Sequence, residues 1–143
     1  PISEQEQRDY FAREIWPSME YSHPTNLLVT YFYQGKRIGY GGMVHIAWQD
    51  QRTEMSFLSD PFLTSDTSQY AILFSQYISL FKELAFGDLR FHRIFTETFA
   101  IRKHHFEVLE KNGFVREGVM RGHVKLKNRF INSIIHGLIN EHA

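Results

Sequence analysis

The sequence predicts an α+β domain whose sheet is mixed, with antiparallel and parallel strand pairs flanked by helices. Three runs of β-branched and aromatic residues, separated by turn residues, lie in the first half of the chain. A stretch with apolar residues at helical spacing follows, and strand and helix patterns then alternate to the end. Because a strand–helix–strand order requires a parallel crossover, the predicted sheet must combine both kinds of pairing.

The elements of the first half are marked by capping and turn residues. Ser3 and Glu6 form a capping box, which predicts a helix from about Glu4 to Ile15. Three antiparallel strands are predicted next, with turns at 35–36 and 49–52: Asn26–Tyr33, Arg37–Trp48 and Thr53–Ser59. Three glycines indicate a bulge or a close backbone approach in the second of these strands: Gly39, Gly41 and Gly42.

The second half alternates between helices and strands. Helical spacing predicts a helix over Ser68–Phe86, with Gly87 as its C-cap, and a second helix over Arg102–Lys111 that stops at Gly113. Three strands are predicted around these helices: His92–Phe99, Glu117–Leu126 and Phe130–Ile139. The whole chain, residues 1–143, is predicted to form a single domain.

Composition excludes several classes of function. Sixteen basic and sixteen acidic residues cancel, so the chain has no electrostatic footprint for nucleic acid or for an anionic membrane. The absence of cysteine excludes a disulfide framework, a thiolate zinc site and a cysteine nucleophile. The eight histidines show no metal-ligand spacing, and no apolar run reaches about 18 residues. We therefore expect no metal and no membrane span, and a cytoplasmic location is the default.

Two segments carry a resemblance to a known family. The segment 38–61 reads IGYGGMVHIAWQDQRTEMSFLSDP, and the segment 102–122 reads RKHHFEVLEKNGFVREGVMRG. The second resembles the C-terminal motif of the GNAT superfamily of acetyl-CoA-dependent N-acetyltransferases. It is most similar to the branch of ribosomal-protein N-terminal and nucleotide-amino-sugar acetyltransferases. Nine positions match the pattern of that branch: Val108, Leu109, Glu110, Lys111, Gly113, Phe114, Glu117, Gly118 and Arg121.

The sequence also departs from the family pattern. The positions of a family asparagine and serine hold Arg102 and His105. The glycine-rich loop that cradles phosphates in the family falls on residues 64–69, which contain no glycine and no basic residue but do contain Asp66. The first strand and helix of the family have no counterpart here, so the domain is expected to be short at its N-terminus.

The resemblance implies acetyl-CoA as co-substrate and indicates where it would lie. The third strand would diverge from the next parallel strand, and backbone N–H groups around Phe57 and Leu58 would bind the pantetheine arm. The pyrophosphate would sit at the N-terminus of the helix that begins near Ser68, where free N–H groups favour anions. Hydroxyls of Ser65, Thr67 and Ser68 would add donors; the alternative is that residues 65–68 only cap the helix.

Basic side chains at the start of the second predicted helix are further cofactor candidates. Arg102 and Lys103 open that helix close to the expected cofactor groove, so they would contact the phosphates of the cofactor. The alternative is that both belong to solvated surface.

Two carboxylates are candidates for the general base. Glu54 lies on the third strand, where the resemblance places a catalytic carboxylate, and Glu97 on the next strand is the second candidate. A structural salt bridge is the alternative for each. The position of the family's tyrosine acid holds Leu109, and His105 is the residue that would substitute for it. His45, with Met43, would line an acceptor pocket or serve only as a strand residue.

The function predicted from these residues is transfer of an acetyl group from acetyl-CoA to a primary amine, either a protein N-terminus or an amino sugar. The alternative is a degenerate GNAT-like module that binds or assembles without turnover, which the altered phosphate loop favours. Because the family's first strand is expected to be missing, the edge of Asn26–Tyr33 would be unpaired. An unpaired edge invites a partner chain, so a homodimer is predicted.

Overall fold

The computed structural model describes residues 3–10, 12–13, 23–59 and 66–141. Within these residues the chain forms three α-helices: α1 (Glu4–Tyr10), α2 (Thr67–Lys82) and α3 (Lys103–Lys111). It also forms six strands: β1 (Leu27–Tyr33), β2 (Lys36–Ala47), β3 (Arg52–Ser59), β4 (Arg93–Phe99), β5 (Val115–Leu126) and β6 (Arg129–Ile139).

The six strands form one mixed sheet in the order β1-β2-β3-β4-β6-β5. The pairs β1–β2 and β2–β3 are antiparallel, as are β4–β6 and β5–β6. The pair β3–β4 is parallel, because α2 lies between these strands in the chain and carries it back to the same end of the sheet. The predicted α+β class and the parallel crossover are confirmed.

Local signals in the sequence set the helix ends. The capping box is formed, since the Ser3 N–H donates to Glu6 Oε2 at 2.8 Å and the Glu6 N–H donates to Ser3 Oγ at 3.1 Å. The predicted end of this helix at Ile15 lies outside the described residues. Gly87 is not the C-cap of α2, which ends at Lys82 and continues as a π-helical segment, Glu83–Asp88. The wider turn gives the Leu89 N–H a bond to Leu84 O at 2.9 Å.

Helices α2 and α3 cover the same face of the sheet. Phe57 of β3 stacks on Phe74 of α2 at 5.2 Å between ring centroids, and Phe74 in turn stacks on His105 of α3 at 4.4 Å. Strand alternation turns Thr53, Met55 and Phe57 toward these helices, and all three are buried. We call the opposite face of the sheet, which carries Glu54 and Glu97, the distal face.

The glycine-rich strand β2 comes close to its neighbours. A Cβ at Gly41 would overlap Ser56 O and approach Tyr77 Oη to 2.8 Å, so glycine is required at this position. The close approach predicted from the glycines is confirmed, and a bulge between β2 and β3 lies a few residues later, between Val44 and Ala47. In the part of the chain that the structure describes, no helix has the length and apolarity to cross a bilayer.

Candidate active site

A wedge between β3 and β4 is the main feature of the sheet. The two strands pair only at Arg52↔Arg93, Thr53↔Ile94 and Glu54↔Phe95. Beyond these pairs β3 stays bonded to β2 and β4 stays bonded to β6, so each strand is held by its outer neighbour while the inner edges separate. The gap holds a cavity of about 210 Å³, lined by residues of β2, β3, β4, α2 and α3.

The predicted backbone binding residues lie on the open part of β3. Phe57 and Leu58 both come after the last pair with β4, so β4 does not use their main chain. Phe57 is buried under α2, and Leu58 is 53% exposed on the distal face. Alternate residues of β3 turn their main-chain groups toward this inner edge, where β4 no longer pairs with them, so an extended ligand could bind there as in β-augmentation.

Glu54 lies at the throat of the wedge. It is the last residue of β3 paired with β4, and its side chain is only 16% exposed. One carboxylate oxygen, Oε2, lies 2.5 Å from Nδ1 of His45, whose side chain is 77% exposed. The carboxylate is therefore mostly covered and reaches solvent beside an imidazole.

Glu97 lies on the other side of the wedge. It belongs to the separated part of β4 and lines the same cavity as Glu54. Its Oε1 lies 3.3 Å from Nε2 of His123 on β5. The structure thus places the two predicted carboxylates on opposite sides of the wedge, Glu54 on β3 and Glu97 on β4. Each lies beside a histidine side chain.

His105 forms a buried hydrogen-bond chain below the wedge. Its Nδ1 lies 2.6 Å from the Tyr70 hydroxyl, and the Arg102 guanidinium donates to the same hydroxyl oxygen at 3.1 Å. Burial, with the charge of Arg102 and then the neighbouring His136 and His104, lowers the pKa of His105 to about 3. The imidazole is therefore neutral near pH 7, and we infer that its Nδ1 accepts the hydrogen bond that the Tyr70 hydroxyl donates.

The two predicted phosphate ligands at the start of α3 point to different places. Arg102 lines the wedge and donates to Tyr70. Lys103 lines a separate cavity of about 320 Å³ between α3 and β5, with Phe106, Glu110 and Arg116. The structure therefore does not bring this pair together at one site.

The N-terminus of α2 is capped by Asp66. Its carboxylate accepts from the N–H groups of Ser68 and Gln69, both at 3.1 Å. The Thr67 carbonyl lies 2.9 Å from His104 Nε2, and Ser65 lies outside the described residues. The capping alternative describes this arrangement, because two of the amides expected to bind pyrophosphate already bond to a carboxylate.

Two residues of the site were not predicted from sequence. Tyr70 reaches His105 across 35 positions of the chain, and no sequence pattern connects them. Thr96 is 3% exposed and lines the wedge, and its Oγ1 has no hydrogen-bond partner among the described residues. The described residues contain no group of three or more potential ligands for a metal ion.

Comparisons with known proteins fit this geometry. A family model described as an acetyltransferase (GNAT) domain matches residues 1–135. Spermidine N-acetyltransferase from Vibrio cholerae in complex with CoA and spermine aligns with a TM-score of 0.77 and 16% identity, over 96% of this chain and 75% of that one. Its dodecameric form aligns with a TM-score of 0.77 and 15% identity, over 96% and 74%. A probable acetyltransferase aligns with a TM-score of 0.74 and 15% identity, over 92% and 73%. No curated protein sequence matches the chain.

These findings identify the class of the protein. The chain belongs to the family of GNAT acetyltransferase domains, and it is an acyl-CoA N-acyltransferase of that type. The solved structures, all near 15% identical, show the shared fold.

Proposed function

We propose that this protein transfers an acetyl group from acetyl-CoA to a primary amine in a direct ternary complex. The observation that carries the proposal is the divergence of β3 and β4 after Glu54↔Phe95. It leaves a slot through the sheet where a thioester can meet main-chain donors from one side and an amine from the distal face. Alignment of the two reactants in one slot is itself a large part of the rate enhancement.

Three side chains have roles in the proposed reaction. Glu54 is the carboxylate that drives removal of the amine proton, directly or through His45, and Glu97 across the wedge is the second candidate. His105 takes the place of the missing tyrosine acid. Arg102 donates to the Tyr70 oxygen and Tyr70 donates to Nδ1, so the other ring nitrogen of His105 carries a proton. That proton would pass to the departing thiolate as Nδ1 takes the Tyr70 proton, and the second proton of the amine would then return to Tyr70.

The cofactor would lie across the wedge, with its pantetheine arm along Phe57 and Leu58. Its phosphates would be placed near the start of α2, with Thr67, Ser68 and Ser65 as donors and Arg102 as the cation. Lys103 lines the cavity between α3 and β5 and is left out of this placement. Binding of the pyrophosphate at that helix end requires the Asp66 carboxylate to release its two amides.

The acceptor is proposed as a protein N-terminus or an amino sugar. We include a polyamine as a third candidate acceptor, because spermidine N-acetyltransferase shares the fold. The distal face near the wedge carries two carboxylates, Glu54 and Glu97, and both favour a cationic amine over a neutral or acidic acceptor.

A module without turnover is the second candidate. The observation that favours it is the Asp66 cap, which places a negative charge where the pyrophosphate of CoA is expected. Such a module would keep the fold and bind another ligand or chain in the wedge.

Calorimetric titration with acetyl-CoA and with CoA separates the two candidates. We expect binding of both ligands, and Glu54→Gln should slow turnover while leaving CoA affinity nearly unchanged. No binding at millimolar ligand would contradict the transferase proposal. Loss of CoA binding in Glu54→Gln would mean that Glu54 has a structural role.

We further propose that the protein forms a homodimer through the outer edge of β1. No strand among the described residues pairs with that edge, and Val29 and Phe32 on β1 are exposed. A second copy of the chain would satisfy the unpaired main-chain groups of β1 and cover these side chains.

A further inference from the structure

A bulge in β2 sets the direction of the His45 side chain. Val44 pairs with Glu54, so these two residues share the distal face, and a regular strand would turn the next residue toward α2. The register breaks between Val44 and Ala47, and His45 has a φ of 49°. Its imidazole therefore lies on the distal face, against the Glu54 carboxylate. Bulges commonly re-aim a side chain beside an active site.

The backbone at His45 is held in an unfavourable conformation. A positive φ is uncommon for residues other than glycine, and strain of this kind tends to persist where it serves a function. The surrounding structure holds the bulge in place, since the Thr53 hydroxyl donates to Val44 O at 3.2 Å and the Ile46 N–H donates to Thr25 O at 3.1 Å. His45 is thus fixed on both sides.

The pair has one mostly covered and one exposed member. The Glu54 side chain is 16% exposed, and its Oε2 lies 2.5 Å from His45 Nδ1. The imidazole is 77% exposed and lines the wedge, so its second nitrogen, Nε2, is accessible to an amine. A carboxylate bonded to one ring nitrogen fixes the tautomer and leaves the other nitrogen as a proton acceptor.

We propose that His45 Nε2 is the general base of the reaction and that Glu54 is its positioning residue. This inference rests on the proposed acetyl transfer. It assigns the proton removed from the amine to His45 Nε2, whereas the sequence favours the Glu54 carboxylate as the base. Glu54 then acts through His45: it holds Nδ1–H as donor and stabilises the imidazolium that forms.

The proton balance is as follows for an ammonium acceptor and acetyl-CoA. One N–H bond of the ammonium breaks and an H–Nε2 bond forms on His45, which leaves a neutral amine. The amine nitrogen bonds to the thioester carbon and the C–S bond breaks. The thiolate sulfur takes its proton from His105, the second amine proton replaces that proton through Tyr70, and the imidazolium of His45 returns its proton to water. The products are the N-acetyl amine, CoA thiol and one proton.

Other charged or titratable side chains line the same wedge. Glu97 faces it from β4, and Arg102 and His105 face it from the α3 side. His105 is held neutral by burial, so its charge does not change over the working range.

Variants at position 45 test the assignment with the bulge preserved. Asparagine and glycine adopt positive φ readily, so His45→Asn and His45→Gly keep the backbone. With acetyl-CoA and a panel of glucosamine, a peptide with a free N-terminus and spermidine, we expect kcat of His45→Asn to fall about 100-fold with unchanged CoA affinity. Added imidazole should restore part of the rate of His45→Gly but none of the rate of Glu54→Gln.

A double variant at positions 45 and 54 tests whether His45 and Glu54 act together or as two independent groups. His45→Asn with Glu54→Gln should be no slower than the slower single variant, because residues that act as one unit are not additive. His45→Asn with a kcat within about twofold of the unchanged protein would overturn the assignment, as would a far larger loss in Glu54→Gln than in His45→Asn.

Nitrogen-15 NMR of the imidazole tests the dyad without any acceptor. We expect the neutral His45 ring to carry its proton on Nδ1, and Glu54→Gln to lose that preference. A proton on Nε2 in the unchanged protein would overturn the proposal. If the protein acetylates none of the three amines, that result counts against the proposed function. The NMR measurement still shows which nitrogen of His45 carries the proton, so it tests the pairing of His45 with Glu54 independently of activity.

Discussion

His105 shows how one buried residue ties stability to pH. The residue is 8% exposed, and its ring stacks on Phe74 and is hydrogen-bonded to the Tyr70 hydroxyl. In the unfolded chain the same ring has its ordinary pKa of 6.5, and in the fold burial lowers that pKa to about 3. The unfolded state therefore binds more protons than the folded state between these two values, and stability falls as the pH drops through this window.

We predict a loss of unfolding free energy on the order of 2 kcal/mol between pH 6.5 and 4.5, measured by urea denaturation. The carboxylates with lowered pKa, Glu110 beside His136 and Glu117 beside Arg93, lose their contributions only below 4.5. His105→Gln should flatten the dependence in that window, and His92→Gln, at an exposed histidine, is the matched control. An unchanged slope in His105→Gln would contradict the prediction.

Gly41 is a second position where one atom decides stability. Because an added methyl group would meet backbone of β3 and the Tyr77 hydroxyl, Gly41→Ala should destabilise the fold by about 1–3 kcal/mol. Gly118→Ala is the control, since a Cβ there has nothing within 4 Å. Equal unfolding midpoints for the two variants would show that β2 and β3 can move apart at no cost.

At the scale of elements, the start of α2 has two requirements that conflict. The Asp66 carboxylate caps the helix, and the same charge opposes a pyrophosphate at that end. Asp66→Asn keeps an oxygen for the cap and removes the charge.

We predict that Asp66→Asn retains stability within about 0.5 kcal/mol and binds CoA several-fold more tightly, by calorimetry. Asp66→Ala should lose about 1 kcal/mol of stability because the cap is lost. Weaker CoA binding in Asp66→Asn would place the pyrophosphate away from this helix end.

The helices and strands could be predicted closely from the sequence, because turn and capping residues next to them mark where they begin and end. Predicted and observed ends of the strands differ by at most two residues, for example Glu117 against Val115 at the start of β5. The strands are bounded by local turn chemistry, such as the positive φ of Gln34 and Gly35 between β1 and β2. No local signal in the sequence marked the π-helical segment after Lys82, which buries Ala85 in the core.

The site was predicted less completely than the elements, since it depends on contacts between distant segments. Glu54 and Glu97 could be placed on neighbouring strands from the element order alone. The contact of His45 with Glu54 could not, because strand alternation puts His45 on the other face and only the bulge reverses it. The Tyr70–His105–Arg102 chain likewise forms only when α2 and α3 pack together.

For the whole molecule, light scattering over a range of concentrations checks the proposed homodimer. We expect a twofold mass, and Phe32→Glu, at a residue 58% exposed on β1, should shift the equilibrium toward monomer. Val119→Glu places the same charge on exposed β5 and serves as the control. A monomer at every concentration would contradict the proposal.

The short pairing of β3 with β4 divides the sheet mechanically into two blocks. In the described residues, β1–β3 and β4–β6 share just the rungs at Arg52, Thr53 and Glu54, and the helices hold the blocks together elsewhere. A pantetheine chain bonded to the inner edges of both β3 and β4 would replace the hydrogen bonds that these strands do not form with each other. The bound co-substrate would then stabilise the contact between the two halves of the sheet while it delivers its acetyl group. Its release as the free thiol would weaken that contact again.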